Sequence, residues 1–270
     1  MLPLKRAFST SSHSLQVTSL SGTYKFVPCP QPVIDTGCTY CQPPEFPFNK
    51  QIDHTRPLRN STATLYRHLL ILNGIPDNES WPRRFEMSPG SIIGDLNTLK
   101  RKYTDGYHPS LISMTSLEVF KGDVDVAGIY PDGLMVEIPK DRRKDFVLAF
   151  LDGEGEGEEE ALKKKELRAS FKTRKLTKDY VLICGHTKRD IRCGELGPMI
   201  KDEFEKVLPK NKVELGYISH VGGHSFAGNV LIFKKNGDVI WYGRVEPRHV
   251  QGIVNMTVLG NEIIEELYRG

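Results

Sequence analysis

Apolar residues along this chain fall into short runs separated by Pro, Gly and charged stretches. Residues 66–73 read Tyr-Arg-His-Leu-Leu-Ile-Leu-Asn and end at Gly74, a run of strand length that predicts a buried strand. Ile92, Ile93, Leu96 and Leu99 follow Ser88-Pro-Gly-Ser91 at helical spacing, which predicts a helix with a polar start. Residues 111–115 and 124–129 have strand character, and residues 145–151, Asp-Phe-Val-Leu-Ala-Phe-Leu, read as a strong buried strand. Together these predict an α/β domain over residues 59–152.

The pattern then breaks. Residues 152–160 are acidic and glycine-rich, and Lys163-Lys-Lys165 follows. Such a stretch is solvated, so residues 153–169 are expected to be a charged linker. The i,i+4 pairs Glu159/Lys163 and Glu160/Lys164 could support a short helix at its end. Beyond it, residues 179–184 form a strand pattern ending at Cys184. Leu196, Ile200, Phe204 and Val207 have helical spacing up to Pro209, and residues 213–218 form a second strand. Residues 229–233 and 238–242 flank Asn236-Gly237, a strong hairpin signal. Pro247 opens a helical tail with a break near Gly260. The order β-α-β-β-β-α over residues 170–270 resembles a reduced thioredoxin-like unit. The fold class expected is therefore α/β, with two domains. Residues 21–58, rich in Pro and holding three cysteines, are expected to be an extended arm packed on the body.

Two places on this pattern carry chemistry. Cys184-x8-Cys193 follows one strand, and His220-Val-Gly-Gly-His224 follows another. Two thiols and two imidazoles suit one zinc ion or a [2Fe–2S] cluster. If the two strands are parallel neighbours, both loops open at one sheet edge, where α/β folds place ligands. The paired glycines rule out a metalloprotease helix, which also needs a Glu that this loop lacks. They permit positive φ and close backbone approach instead. Cys-x8-Cys is wider than the usual zinc spacing, although His-x3-His is acceptable. A Rieske loop supplies one Cys and one His. Here the types are segregated by loop, which suits a dinuclear cluster with the cysteines on one iron and the histidines on the other. A zinc-stabilised interaction protein remains the alternative.

Composition narrows the classes. Of 270 residues, 26% are charged and 39% hydrophobic, values of an ordinary globular chain with no membrane-spanning run. The net charge of +3 includes Lys5 and Arg6, so there is no electrostatic case for nucleic acid. The five cysteines, an odd number with no secretory signal before them, favour metal or redox use over a disulfide framework. Residues 1–20 are basic, rich in Ser and Thr, and free of acids, which predicts a mitochondrial transit peptide. Arg6-Ala7-Phe8 before Ser9 fits a processing site. Matrix and intermembrane space are both open. Cys38-Thr-Tyr-Cys41 has thioredoxin-motif spacing, so a thiol oxidoreductase using Cys29, Cys38 and Cys41 is a further alternative. The following Gln42-Pro43-Pro44 blocks the helix such a motif should start. His186, Lys188, Arg189 and Arg192, between the two cysteines, could dock an acidic redox partner or be a solvated loop. His186 is the weaker ligand candidate.

Cys184-x8-Cys193, His220-Val-Gly-Gly-His224 and Phe226-Ala-Gly-Asn-Val230 together resemble the thioredoxin-like ferredoxins of the sucrase/ferredoxin-like family. The resemblance is firm over about residues 180–242 and looser through Pro28-Cys29-Pro30 and Arg67-His68. It implies a [2Fe–2S] cluster with ligands Cys184, Cys193, His220 and His224. It further implies an electron carrier in mitochondrial redox or thiol homeostasis, rather than an enzyme with its own substrate. Neutral imidazoles in place of thiolates make the site less negative, which raises its potential and allows electron gain to be coupled to a proton. No Gly-x-Gly-x-x-Gly loop is present, so the redox partner is expected to be a separate protein.

Overall fold

The computed structural model describes residues 20–104, 106–118, 122, 124–155, 157–209 and 211–270. The expected transit segment, apart from Leu20, lies outside these. The fold is mixed α/β and holds two main sheets. The first has the strand order β3-β2-β4-β5-β6, from β2 (Arg67–Ile71), β3 (Ser110–Met114), β4 (Asp125–Tyr130), β5 (Leu134–Ile138) and β6 (Thr173–Lys175). The second has the order β10-β9-β7-β8, from β7 (Asp179–Cys184), β8 (Val213–Ile218), β9 (Val230–Phe233) and β10 (Val239–Tyr242). Within the first sheet only β2/β3 is parallel, and within the second only β7/β8.

Strand β2 shows how the sheets stack. Side chains alternate across a strand, so a strand buried on both faces has an unbroken apolar run. Leu69 and Ile71 join a core with Ile92, Ile93 and Leu96 of α1 (Ile92–Tyr103) and with Phe146, Val147 and Phe150 of α2 (Arg143–Phe150). Leu70 and Leu72 face the other way, into a core with Val181, Leu231, Phe233 and Trp241 of the second sheet. The His68 and Tyr130 rings meet the Phe233 ring edge-on at 5.1 and 4.8 Å. The layers are therefore α1/α2, first sheet, second sheet and then α4 (Ile191–Val207), which packs on β7 and β8. The edges of the sheets also join: Thr115 bridges Ile218, and Ser219 N–H donates to the Met114 carbonyl at 2.8 Å. The two sheets share one core between them.

Several local expectations change. Residues 145–151 lie largely in helix α2 rather than in a strand. A short apolar run does not separate strand from buried helix, and here Phe146 and Phe150 sit one helical turn apart with ring centroids 5.1 Å apart. After Pro131-Asp132-Gly133 the chain forms β5, a strand the sequence pattern does not predict, in a hairpin with β4. The charged segment contains helix α3 (Glu158–Ala169), which carries the expected Glu159–Lys163 pair at 2.7 Å. Beyond it, β6 pairs with β5, so the first sheet draws on residues past 170. The helical tail runs from Val250 to Val258 and gives way to β11 (Glu262–Ile264). The arm packs on the second half: β1 (Lys25–Val27) pairs in parallel with β11, and the Thr36 and Thr39 hydroxyls donate to Glu203 of α4. No helix among the described residues is long and apolar enough to cross a membrane.

His68 lies wholly inside the shared core. Its Nε2 meets Ser113 Oγ at 2.9 Å, while Nδ1 is buried without a partner. A proton on Nδ1 would be an unpaired buried charge, and burial pushes the imidazole down to about 3. The unfolded chain takes up this proton near pH 6.5, roughly. Stability is therefore complete above that value and falls as pH drops toward 3, by about 2 kcal/mol at pH 5. Denaturant titrations of His68→Gln should show a weaker loss of stability between pH 7 and 5 than the wild type. Identical pH profiles would refute the assignment.

Candidate metal centre

The end of β7 and the end of β8 lie level, with Cys184 paired to Ile218 in parallel register. Both ligand-bearing segments therefore open on one sheet edge, as expected if the two strands are parallel neighbours. Cys184 is the last residue of β7, buried, with its N–H donating to the Asn229 carbonyl at 2.9 Å. Cys193 is not in a loop. The chain turns at residues 185–190, Asp190 caps α4 by accepting from Arg192 N–H at 3.1 Å, and Cys193 lies buried in the first helical turn. That position gives its sulfur the positive end of the helix dipole. His220 stands two residues past β8. Cys184, Cys193 and His220 each bring one donor atom, and the three lie within 4.8 Å of one another.

His224 is one step farther out. Its Nδ1 is 3.4 Å from His220 Nε2, the ring centroids are 5.3 Å apart, and it is exposed. The cysteines therefore form the buried side of the site and the histidines its surface side. His220 Nδ1 is buried and has no hydrogen-bond partner, an orphan of the kind that a ligand satisfies. Contact with the Cys193 thiol holds Cys184 well below the ordinary thiol range, helped by His220 and by the His186 backbone N–H, whereas Cys193 is pushed up beside it. Burial also lowers His224, against the pull of Asp190.

Three neighbours build this arrangement. His186 is buried and fully employed: Nε2–H donates to the Pro82 carbonyl at 2.9 Å, and Nδ1 accepts from His220 N–H at 3.2 Å. It braces the histidine loop and is neither a spare ligand nor a docking group. Arg192 is also turned inward, bonded to Asp190 at 2.9 and 3.0 Å and to the Gln51 carbonyl at 2.9 Å. Arg269, which no pattern in the chain singled out, lies buried behind the loop. Its guanidinium donates to Asn229 Oδ1 at 2.6 Å, to the Ser61 carbonyl at 2.8 Å and to Ser61 Oγ at 3.1 Å. Gly222 and Gly223 have φ of +88° and +69°. A Cβ on Gly223 would stand 2.2 Å from the Arg269 Nη2, so the close approach that glycine allows here is to this arginine.

The N-terminal thiols lie elsewhere. Cys41 N–H donates to the Cys38 carbonyl at 3.0 Å in a turn that starts no helix, and Cys29 packs against Gly252. Among the described residues, Cys29, Cys38 and Cys41 join no group of three or more donors like the one at Cys184, Cys193 and His220.

The sucrase/ferredoxin-like family pattern matches residues 58–270. The chain is 38% identical over 256 residues to "Altered inheritance of mitochondria protein 32" of Clavispora lusitaniae, covering 90% of this chain and 94% of that protein. It is 37% identical over 263 residues to the protein of the same name from Meyerozyma guilliermondii, covering 90% and 93%. For the Saccharomyces cerevisiae protein of that name the identity is 29% over 259 residues, covering 88% and 75%. No solved structure matches the chain.

The two glycines of the histidine loop should respond differently to a methyl group. At Gly222 it would enter open space, leaving only the left-handed backbone penalty of about 1–2 kcal/mol. At Gly223 it would also collide with Arg269. Denaturant unfolding should show Gly223→Ala to be the more destabilised of the two. Equal losses would mean that the loop does not rest on the guanidinium.

Proposed function

The chain belongs to the sucrase/ferredoxin-like family, and from that premise we propose that it is a mitochondrial one-electron carrier. Cys184, Cys193, His220 and His224 would hold a [2Fe–2S] cluster. The observation that carries this reading is the convergence of three soft or borderline donors within 4.8 Å at the common edge of β7 and β8. The donor chemistry fits the group, and the orphaned His220 Nδ1 marks a nitrogen that protein contacts do not satisfy. When bound, such a cluster supplies one-electron transfer at a potential raised by imidazole ligation.

The chain's own residues divide the remaining work. Cys184 and Cys193 offer thiolates from the dry side, where the core excludes water. The His186 backbone N–H favours the Cys184 thiolate, and the first turn of α4 turns the positive end of its dipole toward Cys193. His220 and His224 form the outward side, and the exposed His224 offers the shortest route for an electron to or from a separate redox protein. Relatives carry a name drawn from the inheritance of mitochondria, which supports a mitochondrial role, in the matrix or the intermembrane space. The same compact donor group also suits a single zinc ion, so metal analysis decides between a carrier and a zinc-stabilised interaction protein.

The full chain isolated without oxygen should be coloured and contain about two irons and two acid-labile sulfides per molecule. Cys184→Ser and Cys193→Ser should each lose most of both. His224→Cys should retain a cluster with a lower midpoint potential and an altered electron paramagnetic resonance spectrum. A colourless protein with one zinc would end the electron-carrier reading.

A further inference from the structure

Four arginines are buried among the described residues, and three of them have acids. Arg67 pairs with Asp132, Arg143 with Asp95 and Asp125, and Arg192 with Asp190. Arg269 differs. Each acceptor of its guanidinium is neutral, namely Asn229 Oδ1, Ser61 Oγ and the Ser61 carbonyl. The rings of Phe226 and Trp241, 5.5 and 5.8 Å from its carbon, add only a weaker cation–π attraction. A guanidinium does not shed its proton at physiological pH, so a buried one without an anion is strongly disfavoured.

The donor site adjoins Arg269 through Asn229. Asn229 accepts the Arg269 guanidinium on its side chain and the Cys184 N–H on its main chain, and it donates from Nδ2 to the Gly223 carbonyl at 3.1 Å. One residue therefore links the arginine to a sulfur ligand and to the histidine loop. A thiolate at Cys184 or Cys193 favours the charge on Arg269 and offsets the cost of its burial. Its backbone is fixed as well, with its N–H donating to the Trp241 carbonyl at 2.9 Å and its carbonyl accepting from Ser61 N–H at 2.9 Å.

We infer that Arg269 is the fixed counter-charge of the centre, a positioning residue whose guanidinium offsets the thiolate charge and favours the state holding one more electron. This rests on the electron-carrier reading. With two thiolates and two neutral imidazoles an oxidised [2Fe–2S] site has no net charge, and the electron delivered by the redox partner makes it negative. A cation in the low-dielectric interior stabilises that negative state over the neutral one, because water does not screen it there.

The test is a redox titration of the full chain and three variants, with iron, sulfide and electron paramagnetic resonance measured on each. Arg269→Gln removes the charge and should lower the midpoint potential while iron and sulfide are retained. Arg269→Lys keeps the charge and should recover much of the shift. Asn229→Asp keeps an acceptor for the guanidinium but sets a carboxylate against it. It should lower the potential in the same direction, and it carries the test if Arg269→Gln does not fold. Unchanged potentials in iron-loaded Arg269→Gln or Asn229→Asp would overturn the role of Arg269 alone. A wild-type chain without iron and sulfide would overturn the electron-carrier reading and this inference with it, and the metal analysis tells the two failures apart.

Discussion

The parallel pairing of β7 with β8 is the constraint on which the centre depends. Parallel neighbours cannot be joined by a tight turn; the chain must cross back over the sheet, here through α4. That crossover has to begin where β7 ends, so the first turn of α4 lies at the same edge as Cys184 and brings Cys193 with it. Strand β8 then runs in the same direction and delivers His220 to that edge. Residues far apart in the chain meet because a single hydrogen-bonded ladder has one orientation.

The second organising fact is that the first sheet is buried on both faces. Alternate residues of β2 enter different cores, Leu69 and Ile71 toward the helices α1 and α2, Leu70 and Leu72 toward the second sheet. This explains why residues 69–72, Leu-Leu-Ile-Leu, are apolar without a break. It also explains His68, a polar residue held neutral between the sheets by the absence of any partner for Nδ1.

Much of the donor site was legible because it depends on local signals. Strand periodicity located β7 and β8, and the His-Val-Gly-Gly-His loop declared its backbone through its glycines. The strand ends and the shared edge followed. What was illegible depends on partners distant in the chain. Nothing near Arg269 indicates a buried charge; its role comes from Ser61, 208 positions away, and from Asn229. His186 has the residue type and position of a loose ligand or a docking group, yet the Pro82 carbonyl and the His220 backbone N–H occupy both its nitrogens. The error at residues 145–151 has another origin. Six successive apolar residues, 146–151, satisfy either a strand or a buried helix, and only the layer they cover decides. The two-domain expectation came from the charged break near residue 152, yet the cores on either side of it merge.

Hydrogen-bonded residue pairs tie the centre's surroundings to residues 51–82, among them Gln51 with Arg192, Ser61 with Arg269, Asn78 with Gly185 and Pro82 with His186. The ligand-bearing half is therefore not a portable cassette. A gene fusion or recombination event that carried only residues 170–270 would transfer every candidate ligand and leave behind the groups that hold their neighbours in place. The structural unit for this candidate centre is accordingly the longer stretch that includes residues 51–82, even though that segment contains none of the proposed ligands.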